Sequence, residues 1–525
     1  MELATTDLAI FIAYVAALIA IGYLVSREKS GHQKNTQDYF LAGNGLPWWA
    51  VGASLIAANI SAEQIIGMSG SGYAIGLGIA SYEWMGAITL ILVGKYFLPV
   101  FVRKKIYTMP QFLEQRYDHR VKVVLATFWL GVYTFVNLTA VLWLGALAIN
   151  AIAGVELLSG LLFLGMFSAA YSLYGGLKAV ALTDIIQVVL LVIGGLVLSY
   201  LALDLISGGA GPVAGFSELV QRVPEKFDMI LTPDNPNYAS LPGLSVLVGG
   251  LWVMNFSYWG FNQYIIQRAL AAKSIDEGQK GIAFAAYLKL LMPIIVVLPG
   301  IAAVVLLPDL ARPDEAYPQL MNLMPVGFKG LVFAALVAAI VSSLASMTNS
   351  IATIFTMDIY ARYQPQKTER HYVTVGRAAS LISLLLAMVC AQPLLGQFEQ
   401  AFQYIQEFTG FFTPGIVVLF MLGVFWPRAT ANSALAAAIG SAVLSLALKL
   451  WWPTLPFMDR VGLVFLLCLG LAVGVSLLQG RGQALAAGSD GRLALREIGF
   501  DTSSGFNLAA VGVTLILIAL YTTWW

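Results

Sequence analysis

The chain has 525 residues, of which 59% are hydrophobic and 11% charged, with a formal net charge of +1. Apolar runs near spanning length recur throughout, so this is a polytopic helical membrane protein, and the near-zero charge leaves no basic surface for nucleic acid. Cys390 and Cys468 lie in apolar runs at no metal-binding spacing, and His32, His119 and His371 fall in polar connections, which argues against a metal centre.

In chain order, the apolar runs predict spans at roughly 6–26, 46–73, 78–102, 122–152, 155–174, 179–206, 243–267, 278–308, 328–361, 372–394, 398–426, 430–451, 460–479 and 505–524. That is about fourteen transmembrane helices and no other domain. The opening Met-Glu-Leu-Ala-Thr-Thr-Asp is acidic where a signal peptide is basic, so the first run is expected to remain as a helix. Lys and Arg concentrate in the loops after odd-numbered spans, among them Arg103, Lys104, Lys105, Arg268, Arg362 and Arg428. Those loops are therefore expected in the cytoplasm, with both termini outside. The connections 207–242 and 309–327, rich in Gly, Pro, Asn and Asp, read as lids or turns, and the Gly- and Ala-rich stretch Gly480–Phe500 as a mobile cytoplasmic segment.

The second span starts at Trp48 and Trp49, and the midplane of a roughly 30 Å hydrocarbon core falls about ten residues later, near Ala58 and Asn59. There the run turns polar, with Asn59, Ser61, Glu63 and Gln64, and such groups must face protein or a water-filled cavity. Small neighbours such as Ala57 and Ala62 would suit close helix packing, but packing explains neither the Glu nor the Gln. Further polar groups at membrane depth are Glu83 and Lys95, Asp184 and Gln187, then Asn255, Asn262 and Gln263, Lys289, and Gln403, Gln406 and Glu407. Glu83 and Lys289 could be a structural ion pair between two helices. Their occurrence with amides at similar depth points instead to a cavity for a neutral, hydroxyl-rich molecule, which needs both donors and acceptors. Tyr82, Tyr258, Trp259, Phe402 and Tyr404 would supply flat apolar faces, or plain core.

The ninth span carries Ser342, Ser343, Ser346, Asn349, Ser350, Thr353 and Thr356, and steps of three and four put most of these on one helix face. Any one of them could simply bond back to the preceding turn. The tandem Ser342-Ser343 opposite a polar break in another helix supplies hard, neutral oxygens suited to a dehydrated Na⁺.

The segments DYFLAGNGLPWWAVGASLIAANISAEQ, YSLYGGLKAVALTDIIQ, LWVMNFSYWGFNQYIIQRALAAKS, ALVAAIVSSLASMTNSIATIFTMDIY and AFQYIQEFTG resemble those of the solute:sodium symporters, specifically the bacterial members of their sodium/sugar branch. The resemblance implies an all-α, LeuT-type architecture of two inverted five-helix repeats, at 46–206 and 243–426, with 6–26 and 430–524 as peripheral helices. It implies a sodium site at the carbonyls of Ala57, Ile60 and Ala339 and the hydroxyls of Ser342 and Ser343. It implies sugar contacts from Asn59, Gln64, Glu83, Asn255, Lys289 and Gln406 with stacking on Tyr258, gating by Met68, Tyr258 and Phe402, and an ion exit route past Asp184. Gly86 and Ser257 stand where sugar-transporting relatives carry a hydroxyl and an aromatic. Ala345 stands where two-sodium members carry a threonine, which implies one sodium per sugar.

The expected activity is sodium-coupled symport of a neutral hexose through the cell (inner) membrane, with sodium and sugar as partners and no enzymatic chemistry. A symporter for an amino acid, a vitamin or an acidic sugar is the nearest rival, disfavoured because a carboxylate substrate would meet Glu83. A sugar sensor that does not transport is disfavoured by the short cytoplasmic segments. No nucleophile with a base, and no metal set, suggests an enzyme.

Overall fold

The computed structural model describes residues 3–26, 45–106, 108–174, 177–396, 400–479 and 499–525, and among these the regular structure is helical apart from one parallel bridge between Leu46 and Ala272. The helices that position the site are α1 (Thr5–Ser26), α2 (Trp48–Asn59), α3 (Met68–Ala74), α4 (Ser81–Tyr96), α5 (His119–Val132), α6 (Thr139–Ala153), α7 (Leu157–Tyr174), α8 (Leu177–Ile206) and α9 (Gly250–Phe256). They continue as α10 (Gln263–Leu270), α11 (Ile275–Leu306), α12 (Phe328–Thr353), α13 (Glu369–Leu395), α14 (Ala401–Thr409), α15 (Thr413–Phe425), α16 (Ala431–Trp451), α17 (Phe457–Leu478) and α18 (Ser504–Thr523).

Each predicted span carries helix. Among the described residues, nine helical stretches are long and apolar enough to cross a membrane, or eleven when two bent pairs each count as one span. The protein is thus a multi-pass membrane protein, while the count of fourteen is not itself fixed by length and apolarity. The expected mobile stretch Gly480–Phe500 falls almost wholly outside the described residues.

Capping follows the sequence. Asp118, Ser274 and Thr368 accept backbone N–H bonds at the starts of α5, α11 and α13, and Thr430 forms a reciprocal box with Ser433 at the start of α16. Gly154, at φ 68°, ends α6 in the left-handed conformation that a side chain disfavours.

The long helix α11 is the spine. It packs on both halves of the broken second span, α2 and α3, as well as on α4, α8 and α18. With lipid as apolar as the core, close packing of small residues must drive such contacts. A Cβ on Gly52 would lie 2.6 Å from the Gly281 carbonyl, one on Gly72 would lie 2.8 Å from that of Val297, and one on Gly300 would overlap the Ser69 carbonyl. Two glycine-lined crossings therefore press α11 against the span on either side of its break. Helix α12 closes the other side, packing on α1, α2, α7, α8 and α13.

Candidate functional site

The second span bends by 62° between Trp48–Asn59 and Glu63–Ala74. The last bond of the α2 ladder runs from Ile60 N to Ile56 O, and the next turn begins when the Ser61 carbonyl accepts Gln64 N at 3.1 Å and Ile65 N at 3.0 Å. Carbonyls of Ala57 to Ile60 fall between the two ladders, as irregular backbone at membrane depth does only where protein or a cavity covers it. The seventh predicted span is likewise interrupted, with Asn262 extended at φ −80° and ψ 122° between a π turn and α10.

These breaks flank one cavity. Asn59, Gln64, Glu83, Asn255, Tyr258, Lys289, Gln406, Met68 and Phe402 all line it. Lys289 and Glu83, 1% and 2% exposed, form an ion pair between α11 and α4. Lys289 Nζ also donates to Asn59 Oδ1 at 2.6 Å and stands 4.8 Å from the centre of the Trp259 ring. Asn59 Nδ2 donates to the Tyr258 hydroxyl at 3.0 Å, and Tyr264 donates to the same hydroxyl at 3.1 Å. A single relay thus joins α4, α11, the α2 break and the seventh span, and each charge of the pair is satisfied across helices.

Other groups stay open to a ligand. Among the described residues, Gln64 Oε1 and the Tyr82 hydroxyl are buried without a hydrogen-bond partner. Asn255 uses its amide nitrogen on the Leu251 carbonyl at 3.1 Å, and its Oδ1 would lie 3.1 Å from a Cβ on Gly86. A glycine at 86 thereby keeps room beside Asn255 and Trp259 that a hydroxyl-bearing residue would fill.

One end of the cavity is covered by Met68, Phe402 and Tyr82, with the last two rings edge to face at 5.1 Å. Ser71 donates to Gln400 Oε1 at 3.1 Å just beyond them. Asp314, in the connection before α12, accepts Ala401 N at 2.9 Å, while its other oxygen has no partner and lies where a Cβ on Gly70 would be. Burial pushes the Asp314 carboxyl up to about 7. Lys226 and Asn237, from the other long connection, cap the end of α3 by donating to the carbonyls of Tyr73 and Ala74. Both connections read as lids do bear on this end.

The opposite end is floored by Tyr258 and by Tyr133, which donates to Asn262 Oδ1 at 2.7 Å. Behind it, Ser342 and Ser343 are buried on α12, which packs against α2. Among the described residues the Ser343 hydroxyl has no hydrogen-bond partner. Ser346, by contrast, accepts from Arg268 Nη2 at 2.9 Å, and Arg268 Nη1 donates to Ser54 at 2.7 Å. Further along the stripe, Thr353 bonds back to the Asn349 carbonyl at 2.8 Å, as an isolated helical threonine does. Ala339 lies one turn before Ser343 on the same helix. The Asp184 side chain lies outside the described residues.

Sequence reasoning missed several features. Arg268 was placed among loop charges but is fully buried in α10, tying α2 to α12. The eleventh predicted span is not straight; it bends by 49° at Gly410, Phe411 and Phe412. Asn137 and Tyr133, on the turn between α5 and α6, also line the cavity, and an amide in an otherwise apolar run was the available signal for Asn137.

The arrangement is that of a membrane transporter with a central substrate cavity between broken helices. The fold matches that of a solved Na⁺-coupled sialic acid symporter in a substrate-bound outward-open state, with a TM-score of 0.78 at 23% identity over 90% of this chain and 98% of that one. The model of the sodium:solute symporter family matches residues 39–440. A curated "sodium/glucose cotransporter" of Vibrio parahaemolyticus is 52% identical over 99% of this chain and 98% of its own, and a mouse "sodium/myo-inositol cotransporter 2" is 33% identical over 84% of this chain and 69% of its own. The chain belongs to the sodium:solute symporter family, and it is a transporter rather than an enzyme.

Proposed function

We propose that the protein couples inward flow of sodium to uptake of a neutral hexose, glucose- or galactose-like, by alternating access across the bacterial inner membrane. The observation that carries this is the cavity at the span-two break, where acceptors, donors and aromatic faces converge from several helices. The 52%-identical sodium/glucose cotransporter supports the same substrate class. Sugar hydroxyls have partners in Asn59, Gln64, Glu83, Asn255, Lys289 and Gln406, with Tyr258 beneath the ring and Met68 and Phe402 above it. The orphaned Ser343 hydroxyl, with Ser342 and the carbonyls of Ala57, Ile60 and Ala339, supports a sodium site of hard neutral oxygens behind the floor. Sodium bound there favours the arrangement that admits sugar, and by linkage sugar must raise sodium affinity by the same factor.

The charge bias of the loops supports extracytoplasmic termini, and breaks in the second and seventh spans support repeats at 46–206 and 243–426 with peripheral helices at either end. Asp184 remains assigned to the ion exit route on the resemblance alone. The test is uptake of labelled glucose and galactose by proteoliposomes, with an inward sodium gradient or with choline replacing sodium. Uptake of either sugar that requires sodium is expected. Uptake indifferent to sodium, or uptake of neither sugar, overturns the reading.

A further inference from the structure

Glu63 is the one acidic side chain lining the cavity that takes no hydrogen bond from the relay among the described residues. It lies on the π turn that follows the span-two break, it is 5% exposed, and it lines the cavity. Its backbone N–H donates to Ser61 Oγ at 3.3 Å, but among the described residues its carboxylate has no hydrogen-bond partner. Lys289 is the only cation among the lining residues, and it is committed to Glu83 and Asn59. The cavity lining therefore holds two carboxyl side chains and one lysine. A buried carboxylate without a partner is costly, and a ligand that brings a positive charge to it relieves that cost as no hydroxyl can.

We propose that Glu63 is a further specificity-determining residue of the cavity, and that it lets the site accept hexoses carrying a protonated amine, the aminodeoxyhexoses, alongside neutral hexoses. This rests on the sugar-cavity reading above. An ammonium has three donors and a charge to offer the Glu63 carboxyl, while Lys289 is engaged by Glu83 and Asn59 and leaves Glu63 as the acidic group open to it. Such a ligand is thus held in one orientation, with its amine toward Glu63 and its neutral hydroxyls toward Lys289 and Glu83. A neutral hexose binds with a hydroxyl in the same place and gives the Glu63 carboxyl a neutral partner only.

The experiment uses the full chain in proteoliposomes at about pH 7, where the amines remain largely protonated without excess acid holding the Glu63 carboxyl neutral. The 2-amino-, 3-amino- and 6-amino-deoxyglucoses compete against labelled glucose, each beside its neutral deoxy counterpart, in the wild type, Glu63→Gln and Glu63→Asp. Thermal-shift titrations of the detergent-solubilised protein read binding apart from transport. At least one amino sugar is expected to bind ten times more tightly than its deoxy counterpart, with Glu63→Gln erasing that advantage and Glu63→Asp keeping most of it. Amino sugars no better than their deoxy counterparts in the wild type overturn the proposal while leaving sodium-driven hexose uptake standing. So does an advantage that survives Glu63→Gln, and so does a Glu63→Gln variant whose main defect is a raised sodium requirement, which would assign the carboxylate to the ion. Absence of any sodium-dependent hexose uptake in the wild type defeats the transport reading instead, and the thermal-shift titrations then decide on the amino sugar. If Glu63→Gln does not fold, the wild-type and Glu63→Asp titrations decide alone.

Discussion

The cavity and the region behind its floor settle their polar groups in opposite ways. In the cavity, Lys289, Glu83, Asn59 and Tyr258 are joined to one another across four segments before any ligand arrives. Behind the floor, the Ser343 hydroxyl is buried with no partner, and the carbonyls at the α2 break stand outside both ladders. The first arrangement holds its shape and offers spare valences at Gln64, Tyr82 and Asn255. The second leaves oxygens without a hydrogen-bond partner among the described residues. Sodium at those oxygens, as proposed above, would add a second link between α2 and α12 beside the one Arg268 makes, and its binding would bias the arrangement that admits sugar.

The largest effects should come from breaking the completed half. Lys289→Ala and Glu83→Ala should each reduce uptake by at least a hundredfold, and each should lower the melting temperature, because removing one member of a buried pair typically costs roughly 3–5 kcal/mol. Replacing both together, Glu83→Leu with Lys289→Met, should recover much of the thermal stability and none of the uptake. Recovery of uptake in the double variant would reduce the pair to a structural tie. Gln64→Ala should lose uptake as severely with little change in melting, since its Oε1 has no partner to lose.

Breaking the incomplete half should look different. Ser343→Ala removes a hydroxyl that bonds nothing, so the melting temperature should hold or rise slightly, while the sodium concentration for half-maximal uptake should rise about tenfold, or roughly 1.4 kcal/mol. Sugar binding at saturating sodium should change much less. A fall in stability with an unchanged sodium requirement would make Ser343 an ordinary packing residue.

This contrast was only half legible in the sequence. Asn59, Gln64, Glu83 and Lys289 betray themselves because an ionisable or amide side chain at membrane depth needs a reason, and the tandem Ser342-Ser343 is visible as part of a stripe. The orphan status of Ser343 is not legible, since it depends on what α2 and α10 bring to it. Arg268 misleads because it follows an apolar run and looks like a cytoplasmic anchor, yet the break at Asn262 turns α10 inward and buries it. The bend at Gly410–Phe412 does have a local mark, Gly410 at the end of α14 and Pro414 in the first turn of α15, which the length of the apolar run hides. The cover over the cavity is set by Asp314, 87 positions away from Ala401, and no local pattern announces a contact between a loop and a distant helix start.

Asp314 gives a smaller, graded effect. Its carboxyl titrates near 7 in the closed cover and near the ordinary Asp value of about 3.9 once exposed. A group whose closed-state value is raised favours closure fully below the exposed value and loses that contribution as pH rises through the closed value. Closure should therefore weaken between about pH 4 and pH 7 and level off above. Asp314→Asn cannot ionise and should abolish this slope, leaving the cover several-fold more closed at pH 8, as read by cysteine labelling at Ser71→Cys across that pH range. A slope that persists in Asp314→Asn would place the titrating group elsewhere.

The smallest effect expected is none, on the number of sodium ions moved per sugar. A second ion behind the floor would need Ser346, with Ala345 providing no hydroxyl beside it. Ser346 already accepts a hydrogen bond from the Arg268 guanidinium, and that fully buried cation would repel a sodium placed on the same oxygen. The expected ratio is one sodium per hexose, so Ser346→Ala should lower stability through the lost bond to Arg268 and leave the coupling ratio at one. The ratio is read from the reversal potential in proteoliposomes, because each further sodium adds membrane-potential work of about 2.3 kcal/mol per 100 mV. A wild-type ratio of two that falls to one in Ser346→Ala would mean that Arg268 leaves Ser346 during transport and that the region behind the floor completes itself with two ions rather than one.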